Sequence, residues 1–438
     1  MQNLSLLGTL NRVEAPFIKV QIGDYTFGVY KKEAGNLEAN GFYQAAKIVY
    51  PNYVKSLTIQ KINGQVNTYT LTFVYPVTPG DDPNFFEKVF SSVSKTRKIV
   101  FTYGDASLPT YIYKDEEAII TAVQASFSMK TSSITYTVTA ISRCVLAKSG
   151  CYTFINQTPK KPSDEIKRLL DEPQYGLKEI FYGMNNSAYV EMAGLIPGND
   201  QEVQLETKTN ISVLEYLSYL VSCMIPDGEN PANNKQKTFY ILTIVDIIDG
   251  RINVGNVTAD ELGGPFFRII PVTKKLDNSD AYELDIGFPS NNIVTEFTVN
   301  NNENWSIFYD WQKELIPSDY VLRIDDAGEF EEIYAPSISS KNDEHITHVD
   351  DATWWTKLTE FPITATVTIR GLLRPAILMT NLRLNVYYYG NRHITSGLYI
   401  ITKQVDTIDA NGYRTQLTIT RVSGADDQWL QKELSKLM

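Results

Sequence analysis

The chain has 438 residues, 43% of them hydrophobic and 21% charged, a globular composition that argues against disorder and predicts about two to four domains. Its 40 basic and 51 acidic side chains give a net charge of −11, which argues against a general nucleic-acid binder, although DNA could pass a channel that repels phosphate. Three cysteines without a CxxC pair argue against a disulfide scaffold and favour a reducing cytoplasm. Neither a signal peptide nor a membrane span is expected, since no apolar run approaches about 18 residues.

The first region, residues 1–155, alternates apolar and polar residues in short runs, which is the pattern of β-strands. Two of these runs, 56–62 and 66–74, flank Asn63-Gly64-Gln65 and predict a hairpin. Further strands are expected at 98–103, 118–129 and 133–142. The side chains that should face inward from the hairpin are Leu57, Ile59, Tyr69, Leu71 and Phe73.

An amphipathic helix is predicted between the hairpin and those later strands. Asp82 can cap it, and Pro83 suits its first position. The apolar residues that follow recur at helical spacing, so one face of the helix should cover the sheet. These residues are Phe85, Phe86, Val89, Phe90 and Val93.

Residues 156–265 change character and predict an α+β domain. A linker at 159–163 leads into a helix that Ser163 can cap and Pro173 ends. A second helix should follow Ser212, because apolar residues recur there every three or four positions. Short strands are expected at 189–195, 202–206, 239–245 and 251–254, the last two forming a hairpin.

Residues 266–424 return to the strand pattern and are interrupted by a polar excursion at 314–360. From Ile363 to Arg370, apolar residues alternate with threonines, which predicts a strand with one wet face. Two longer runs meet at Asn411-Gly412, residues that supply the positive φ angles of a tight hairpin. Other strands are expected at 282–288, 293–299, 305–311 and 382–388, with a polar turn at 300–304. No internal repeat is evident in the sequence.

Residues 425–438 predict a short C-terminal helix. Leu430, Leu434 and Leu437 fall on one face, and about three turns of helix are marginal in isolation. The helix should therefore pack either on its own domain or on a neighbouring subunit or spike. In the second case Trp429, Leu430 and Leu434 are interface candidates.

The stretch 361–422 resembles the terminal sheet domain of tailed-phage baseplate hub proteins, in the order strand, glycine-containing turn, long strand, "SGLYIITKQVDTI" and "ANGYRTQLTITRV". The hairpin, helix and strands of 1–155 resemble the phage tail-tube domain, of which hubs of this family carry two. "KPSDEIKRLLDEPQYGLKEIF" and "TNISVLEYLSYLVSCMIP" are similar to the middle of hub proteins. The resemblance implies a mainly β fold, with two tail-tube-like β-barrel or sheet domains and an α+β insert.

The resemblance also implies a structural role without a catalytic residue or a cofactor. Hubs of the family form homotrimers, so two tube-like domains per chain would give a pseudo-sixfold ring that joins the tail tube to the distal spike and lines the channel. The implied partners are tail tube, spike and tape-measure proteins, and DNA would pass without specific binding. The expected location is the virion tail or baseplate, after assembly in the host cytoplasm. No spike or lysozyme-like domain is fused to the sheet domain, so puncturing and wall cleavage should belong to other proteins.

Arginines of the terminal sheet region are candidates for lining a channel or for pairing with acidic surfaces of a sister subunit. The alternative is an ordinary exposed strand face, and the sequence does not separate the two. Arg370, Arg383 and Arg414 are the main candidates, beside Arg374, Arg392 and Arg421.

The best metal candidate is the segment DEHITHVDD, where His345, His348 and Asp350 could ligate zinc. Nothing around them imposes a ligand geometry, so a solvated loop is the alternative. Acidic residues at 325–332 lack the register of a calcium loop. Cys144 is expected to be a buried apolar residue, and His393 a solvent-facing turn residue.

No hydrolase elbow, phosphate-binding loop or HExxH motif is present, so the chain is not predicted to be an enzyme. Two functions remain as alternatives to the hub. One is a β-rich adhesin or carbohydrate-binding module that stacks sugars on Trp305, Trp354 and Trp355. The other is a metal-dependent hydrolase centred on His345 and His348.

Overall fold

The chain is mainly β, as predicted, and its helices are short. The computed structural model describes residues 16–28, 53–62, 65–92, 97–105, 112–182, 196–227, 238–245, 266–273, 282–287, 294–301, 323–324, 330–332, 363–370, 378, 381–393 and 395–421. The α-helices in these residues are α1 Phe85–Ser92, α2 Pro162–Asp171, α3 Leu177–Tyr182 and α4 Val213–Ser222, with 3₁₀ turns at Arg143–Lys148 and Pro173–Tyr175.

The strands make up most of the described residues. In chain order they are β1 Pro16–Ile22, β2 Tyr25–Phe27, β3 Val54–Ile62, β4 Thr68–Pro76, β5 Lys98–Asp105, β6 Ile112–Ser128, β7 Ser133–Ser142, β8 Tyr152–Phe154, β9 Lys208–Ile211, β10 Thr238–Val245, β11 Phe266–Thr273, β12 Tyr282–Ile286, β13 Val294–Asn301, β14 Arg323–Ile324, β15 Phe330–Glu332, β16 Ile363–Arg370, β17 Asn381–Tyr388, β18 Asn391–Arg392, β19 Gly397–Asp409 and β20 Gly412–Arg421.

One long sheet passes through both the amino-terminal and the carboxy-terminal strands. Its order is β13-β16-β20-β19-β3-β4-β7-β6-β5-β1-β2, and β17, flanked by β12 and β18, joins the start of β19. The two halves meet where β19 pairs antiparallel with β3, from Lys403 opposite Ile62 to Ile408 opposite Leu57. The two regions that the sequence assigned to separate tube-like domains therefore share one hydrogen-bonded sheet.

The predicted β3–β4 hairpin is present with the predicted inward face. Leu57 lies opposite Leu71 and Ile59 opposite Tyr69, and all four side chains are fully buried. Phe73, the fifth predicted member, is fully buried too. This core also takes Ile408 and Tyr413 from β19 and β20, so the carboxy-terminal strands complete the amino-terminal core.

Helix α1 covers this core as predicted but begins at Phe85, not at Pro83. The Asp82 carboxylate accepts the backbone N–H of Asn84 at 2.9 Å, which holds Pro83 in a turn before the helix. The Phe86 ring then packs between Phe27, 5.4 Å away, and Tyr136, 4.9 Å away. Asp82 thus stabilises the turn before the helix, and Phe86 packs the apolar face of the helix against the sheet.

The middle region has its own core, formed by α2, α3, α4, β10 and β11. Helix α4 begins as predicted, because Ser212 and Glu215 form a reciprocal capping box. Its apolar side chains, among them Leu217 and Leu220, are buried. The strand β11, which the sequence placed in the second tube-like region, pairs with β10 and contributes Ile269 to this core.

Ser163 is not the cap of α2, contrary to the sequence prediction. The helix begins at Pro162, and its N-cap Lys161 makes no side-chain capping bond. Ser163 is instead buried, and both its backbone N–H, at 2.9 Å, and its hydroxyl donate to the carboxylate of Asp200. A carboxylate from a distant segment thus satisfies the start of this helix, where the helix dipole favours negative charge.

The strand predicted at 202–206 is also wrong. Val203 makes only an isolated bridge with Lys160, and the nearby strand β9 comes later. The strand β10 is present as predicted, and its described partner is β11, with Leu242 opposite Ile269. The arm predicted at 251–254 lies outside the described residues.

The terminal strands follow the predicted alternation. Along β16, Ala365, Val367 and Ile369 are buried between half-exposed threonines. The β19–β20 hairpin closes between Asp409 and Gly412, whose φ of +110° is one that glycine adopts without strain. Strand β13 continues through 300–301, where the sequence predicted a polar turn.

Several predicted elements lie outside the described residues, namely the strands at 189–195 and 305–311, the helix at 425–438 and most of the excursion at 314–360. Within that excursion the described pieces, β14 and β15, pair with each other. No helix among the described residues is long and apolar enough to cross a bilayer.

Replacing Phe86 by alanine should lower the free energy of unfolding by about 3–5 kcal/mol, because it leaves a cavity in the aromatic core. Urea unfolding followed by circular dichroism measures the change. Met129→Ala is the control, since Met129 is 94% exposed, and it should change stability by less than about 0.5 kcal/mol. Equal losses in the two variants would contradict the packing of α1 on the sheet.

Candidate assembly surface

Eight neighbouring strands, β13-β16-β20-β19-β3-β4-β7-β6, present a continuous surface on the face opposite the core, and all of them except β6 contribute threonines to it. In one row Thr407, Thr58, Thr70 and Thr139 lie directly opposite one another across four strands. Threonine suits a strand because it is β-branched, and its hydroxyl carries no charge. We call this surface the threonine face; its threonines are Thr58, Thr68, Thr70, Thr72, Thr135, Thr137, Thr139, Thr298, Thr364, Thr366, Thr368, Thr407, Thr418 and Thr420.

Few charged side chains lie on the threonine face. Arg370 and Arg414 are directly opposite each other, and Lys403 lies opposite Thr418. Asp409 accepts a hydrogen bond from Arg414 Nη2 at 2.8 Å, and this ion pair offsets the repulsion between the two arginines. With Glu296 of β13 as a second carboxylate, the face is close to neutral although the whole chain carries −11.

The structure thus brings together two of the three main arginine candidates. Arg383 lies elsewhere, on β17 between Glu283 of β12 and Leu398 of β19. Arg421 is not on the threonine face either, because it is buried and its Nη2 donates to the carbonyl oxygen of Ser396 at 3.1 Å. Arg392 lies on the short strand β18.

The second feature is an uncovered edge along the far half of β6. Strand β5 pairs with β6 only as far as Lys98 opposite Ile119, whereas β7 continues along it to Ser128. Residues 121–127 are all exposed, and among the described strands none pairs with their outer edge. The run 121–129, TAVQASFSM, contains no charge and no proline. Such an edge lacks the devices that usually prevent pairing with another chain.

The apolar face of this edge continues the core face of the sheet. Val123 lies opposite Val138 and Phe127 opposite Ile134, and both β7 residues are buried. Yet Val123 is 39% exposed and Phe127 68% exposed. Among the described residues, the sheet therefore carries an apolar surface at this edge that no other strand covers.

The other end of the eight strands is β13, whose described partner is β16 alone. Thr295, Glu296 and Thr298 are exposed there. Phe297 and Val299 are half-buried and lie opposite Val367 and Ala365 on the core side. Counting the described strands only, the eight-stranded wall thus has one unpaired edge at each end.

A buried polar cluster lies at the β3–β19 junction. Lys61 Nζ is 3.6 Å from Glu116 Oε1, which also accepts the Tyr103 hydroxyl at 2.8 Å. On the adjacent strands the Asp406 carboxylate accepts Thr415 Oγ1 at 2.6 Å and Gln404 Nε2 at 2.7 Å. Both carboxylates are almost completely buried, so these partners are needed to offset the loss of hydration.

The predicted metal ligands and helix contacts are not placed. His345, His348, Asp350 and the tryptophans Trp305, Trp354 and Trp355 lie outside the described residues, as do Trp429, Leu430 and Leu434. Within the described ranges, no three histidine, cysteine or acidic side chains come together as metal ligands. Cys144 is fully buried and His393 is exposed at a turn, as expected for both.

The sequence analysis missed the free edge of β6. The uncharged run 121–129 was visible in the sequence, and a strand was predicted there. The sequence did not show which strands would pair with it. Among the described strands the edge is unpaired because β5 pairs with β6 only as far as Ile119, and this mismatch appears only when the two are paired. The threonine face was partly visible, as the alternation of threonines in 363–370.

No protein-family model and no curated protein sequence matches the chain. Among solved structures it is similar to the tail protein from Neisseria meningitidis MC58, at 9% identity and a TM-score of 0.46, covering 93% of this chain and 97% of that chain. It is also similar to the 43 kDa tail protein of prophage MuSo2 from Shewanella oneidensis, at 11% identity and a TM-score of 0.45, with the same coverage.

A third similar structure is the E. coli c3393 protein, a component of the type VI secretion system. The identity is 11% and the TM-score 0.40, covering 84% of this chain and 74% of that chain. The first two are tail proteins, the class that the sequence resemblance named, and at such identities none of the three assigns a residue role.

Lys61→Met should lower the free energy of unfolding by about 3 kcal/mol, because the buried Glu116 carboxylate would lose the Lys61 ammonium group. Urea unfolding measures this loss. The double variant Lys61→Met/Glu116→Gln should lose less, because no buried charge is left unpaired and an amide can still accept from Tyr103. A double variant as unstable as the single one would contradict the pairing.

Proposed function

We propose that this chain is a structural virion protein, the hub of a phage tail or baseplate or of a related injection machine. Its copies form a ring that joins the tail tube to the distal spike. The observation that carries the proposal is the far edge of β6, which no described strand pairs, where the exposed side chains of Val123 and Phe127 extend the core face. A soluble subunit with such an edge aggregates unless a partner strand completes the sheet.

A sister copy supplies a suitable partner strand. The wall ends in β6 on one side and in β13 on the other, so one copy can place its β13 edge on the β6 edge of the next. Such a contact joins two different surfaces, and it gives a ring when the rotation from copy to copy closes. The family resemblance gives three copies, hence six tube-like units to match a hexameric tube.

The threonine face supports a channel-lining role. It spans eight strands, is not covered by the core, and has few cations to hold phosphate through counterion release. DNA or an extended polypeptide would therefore pass along it without being retained. Arg370 and Arg414 would then face the channel, with Arg414 held by Asp409.

The rest of the proposal follows the family resemblance. The predicted division into 1–155, 156–265 and 266–424 gives two tube-like domains and a middle domain, with β11 belonging to the middle domain because it pairs with β10. A terminal helix at 425–438 stays a prediction. The ring would bind tail tube, spike and tape-measure proteins, be assembled in the host cytoplasm and be carried in the virion. Its role is mechanical and needs neither a metal nor a cofactor.

Light scattering of purified protein should give the mass of a homotrimer, and negative-stain images should show a threefold ring with a central hole. Val123→Lys should reduce the mass to that of a monomer with an unchanged circular dichroism spectrum, because a charge on the free edge blocks strand pairing but is solvated in the monomer.

Thr70→Lys is the matched control, since it adds the same charge at an exposed position in the middle of the threonine face and should leave the mass unchanged. A monomeric wild-type protein, or a ring that survives Val123→Lys, would overturn the proposal.

A further inference from the structure

The eight-stranded wall consists of two units with the same strand order. In the first unit β3, β4, β6 and β7 lie in the order β3-β4-β7-β6, and in the second β13, β16, β19 and β20 lie in the order β13-β16-β20-β19. In both, the first strand of the unit forms one edge and the third strand the other. All neighbouring pairs within the two units are antiparallel.

Irregularities in the strands match between the two units. The third strand bulges at Thr121 in β6 and at Thr402 in β19. Each of these hydroxyls donates to a threonine carbonyl oxygen on the fourth strand at 3.1 Å, Thr121 to Thr139 and Thr402 to Thr418. Because bulges are retained within families as features of a strand, a shared pair indicates a common origin.

The first strands bulge at matching places as well. In β3 the register shifts between Val54 and Ser56, and in β13 between Val294 and Glu296. These four bulges align the first and third strands of the two units residue by residue, and the alignment does not depend on sequence identity. On this alignment Phe127 corresponds to Ile408, and Phe297 corresponds to Leu57.

The chain already contains one seam between units, where the third strand of the second unit pairs with the first strand of the first unit. In this β19–β3 seam Ile408 lies opposite Leu57 and Thr407 opposite Thr58. The other third strand, β6, and the other first strand, β13, form the two edges of the wall that no other described strand pairs. The in-chain seam is therefore a template for a seam between copies.

We infer that β6 of one copy pairs antiparallel with β13 of the next in the register of the β19–β3 seam. This inference rests on the proposed self-assembly and adds the strands and the register. The predicted opposite pairs are Phe127 with Phe297, Ser126 with Thr298, and Ala125 with Val299.

The chemistry of the two edges fits this register. Phe127 and Phe297 both lie on the core side of the wall, since their in-chain neighbours are Ile134 and Val367. The seam thus places two aromatic side chains together, and cross-strand aromatic pairs stabilise sheets. Ser126 and Thr298 are both exposed and both lie on the threonine face, which the seam would continue from copy to copy.

A disulfide test reports the register directly. In a Cys151→Ser background, the variant Ser126→Cys/Thr298→Cys should form intermolecular disulfides under mild oxidation, because directly opposite residues have Cβ atoms within reach. Non-reducing gels should show covalent multimers up to the ring size. The native Cys144 and Cys223 are buried, and burial raises the pKa of the Cys223 thiol to about 12, so neither should react.

Two matched variants make the result decisive. Thr58→Cys/Thr407→Cys tests the template and should form an intramolecular disulfide. Gln124→Cys/Thr298→Cys moves one cysteine by two residues on the same face, to a distance of about 7–8 Å that a disulfide does not span, and should remain unlinked.

The outcomes separate the inference from the proposed function. If wild-type protein forms rings but Ser126→Cys/Thr298→Cys stays unlinked while the template links, the register is wrong and the hub proposal stands. Equal linking of Gln124→Cys/Thr298→Cys would also overturn the register. If Thr58→Cys/Thr407→Cys fails to link, the β19–β3 register cannot serve as the model for the contact between copies. A monomeric wild-type protein without any intermolecular link would overturn both.

Discussion

The antiparallel pairing of β3 with β19 is the contact on which the rest of the structure depends. It joins strands from opposite ends of the chain, and through it Ile408 and Tyr413 complete the amino-terminal core. The buried carboxylates of Glu116 and Asp406 lie beside the junction, although their hydrogen-bond partners Tyr103 and Thr415 come from their own halves of the sheet. Because the pairing is so distant in sequence, it should form late, after the local hairpins.

The net charge of −11 is not spread evenly over the surface of the fold. The excess of acidic residues led us to expect a surface that repels phosphate, whereas the threonine face is nearly neutral. Its few cations and carboxylates, such as Arg414 and Asp409, are partly paired with each other. A neutral hydroxyl surface is also compatible with passage of a polyanion, since it offers neither strong attraction nor a barrier that would depend steeply on salt.

Sequence reasoning succeeded where the determining interactions are local. The inward face of the β3–β4 hairpin, the Ser212 capping box and the turn before Gly412 each depend on residues a few positions apart. It failed where the partner is distant. Ser163 is held by Asp200 and not by its own helix, and the open edge of β6 depends on the length of β5. The family resemblance predicted two tube-like units, but no repeat is evident in the sequence, because the equivalent strands share their order and their bulges and not residue identity.

The in-chain seam has a consequence for how a ring of such subunits would respond to force. One class of seam joins units that share a polypeptide, so its strands meet at a high effective concentration and cannot diffuse apart. The other class joins separate molecules, and its edge lacks the acid and amide of Asp406 and Gln404, with Ala125 and Val123 in the corresponding places. In a ring where the two kinds of seam alternate, the seams between molecules would be the weaker ones. Force would therefore separate whole subunits before it unfolded the sheet within a subunit.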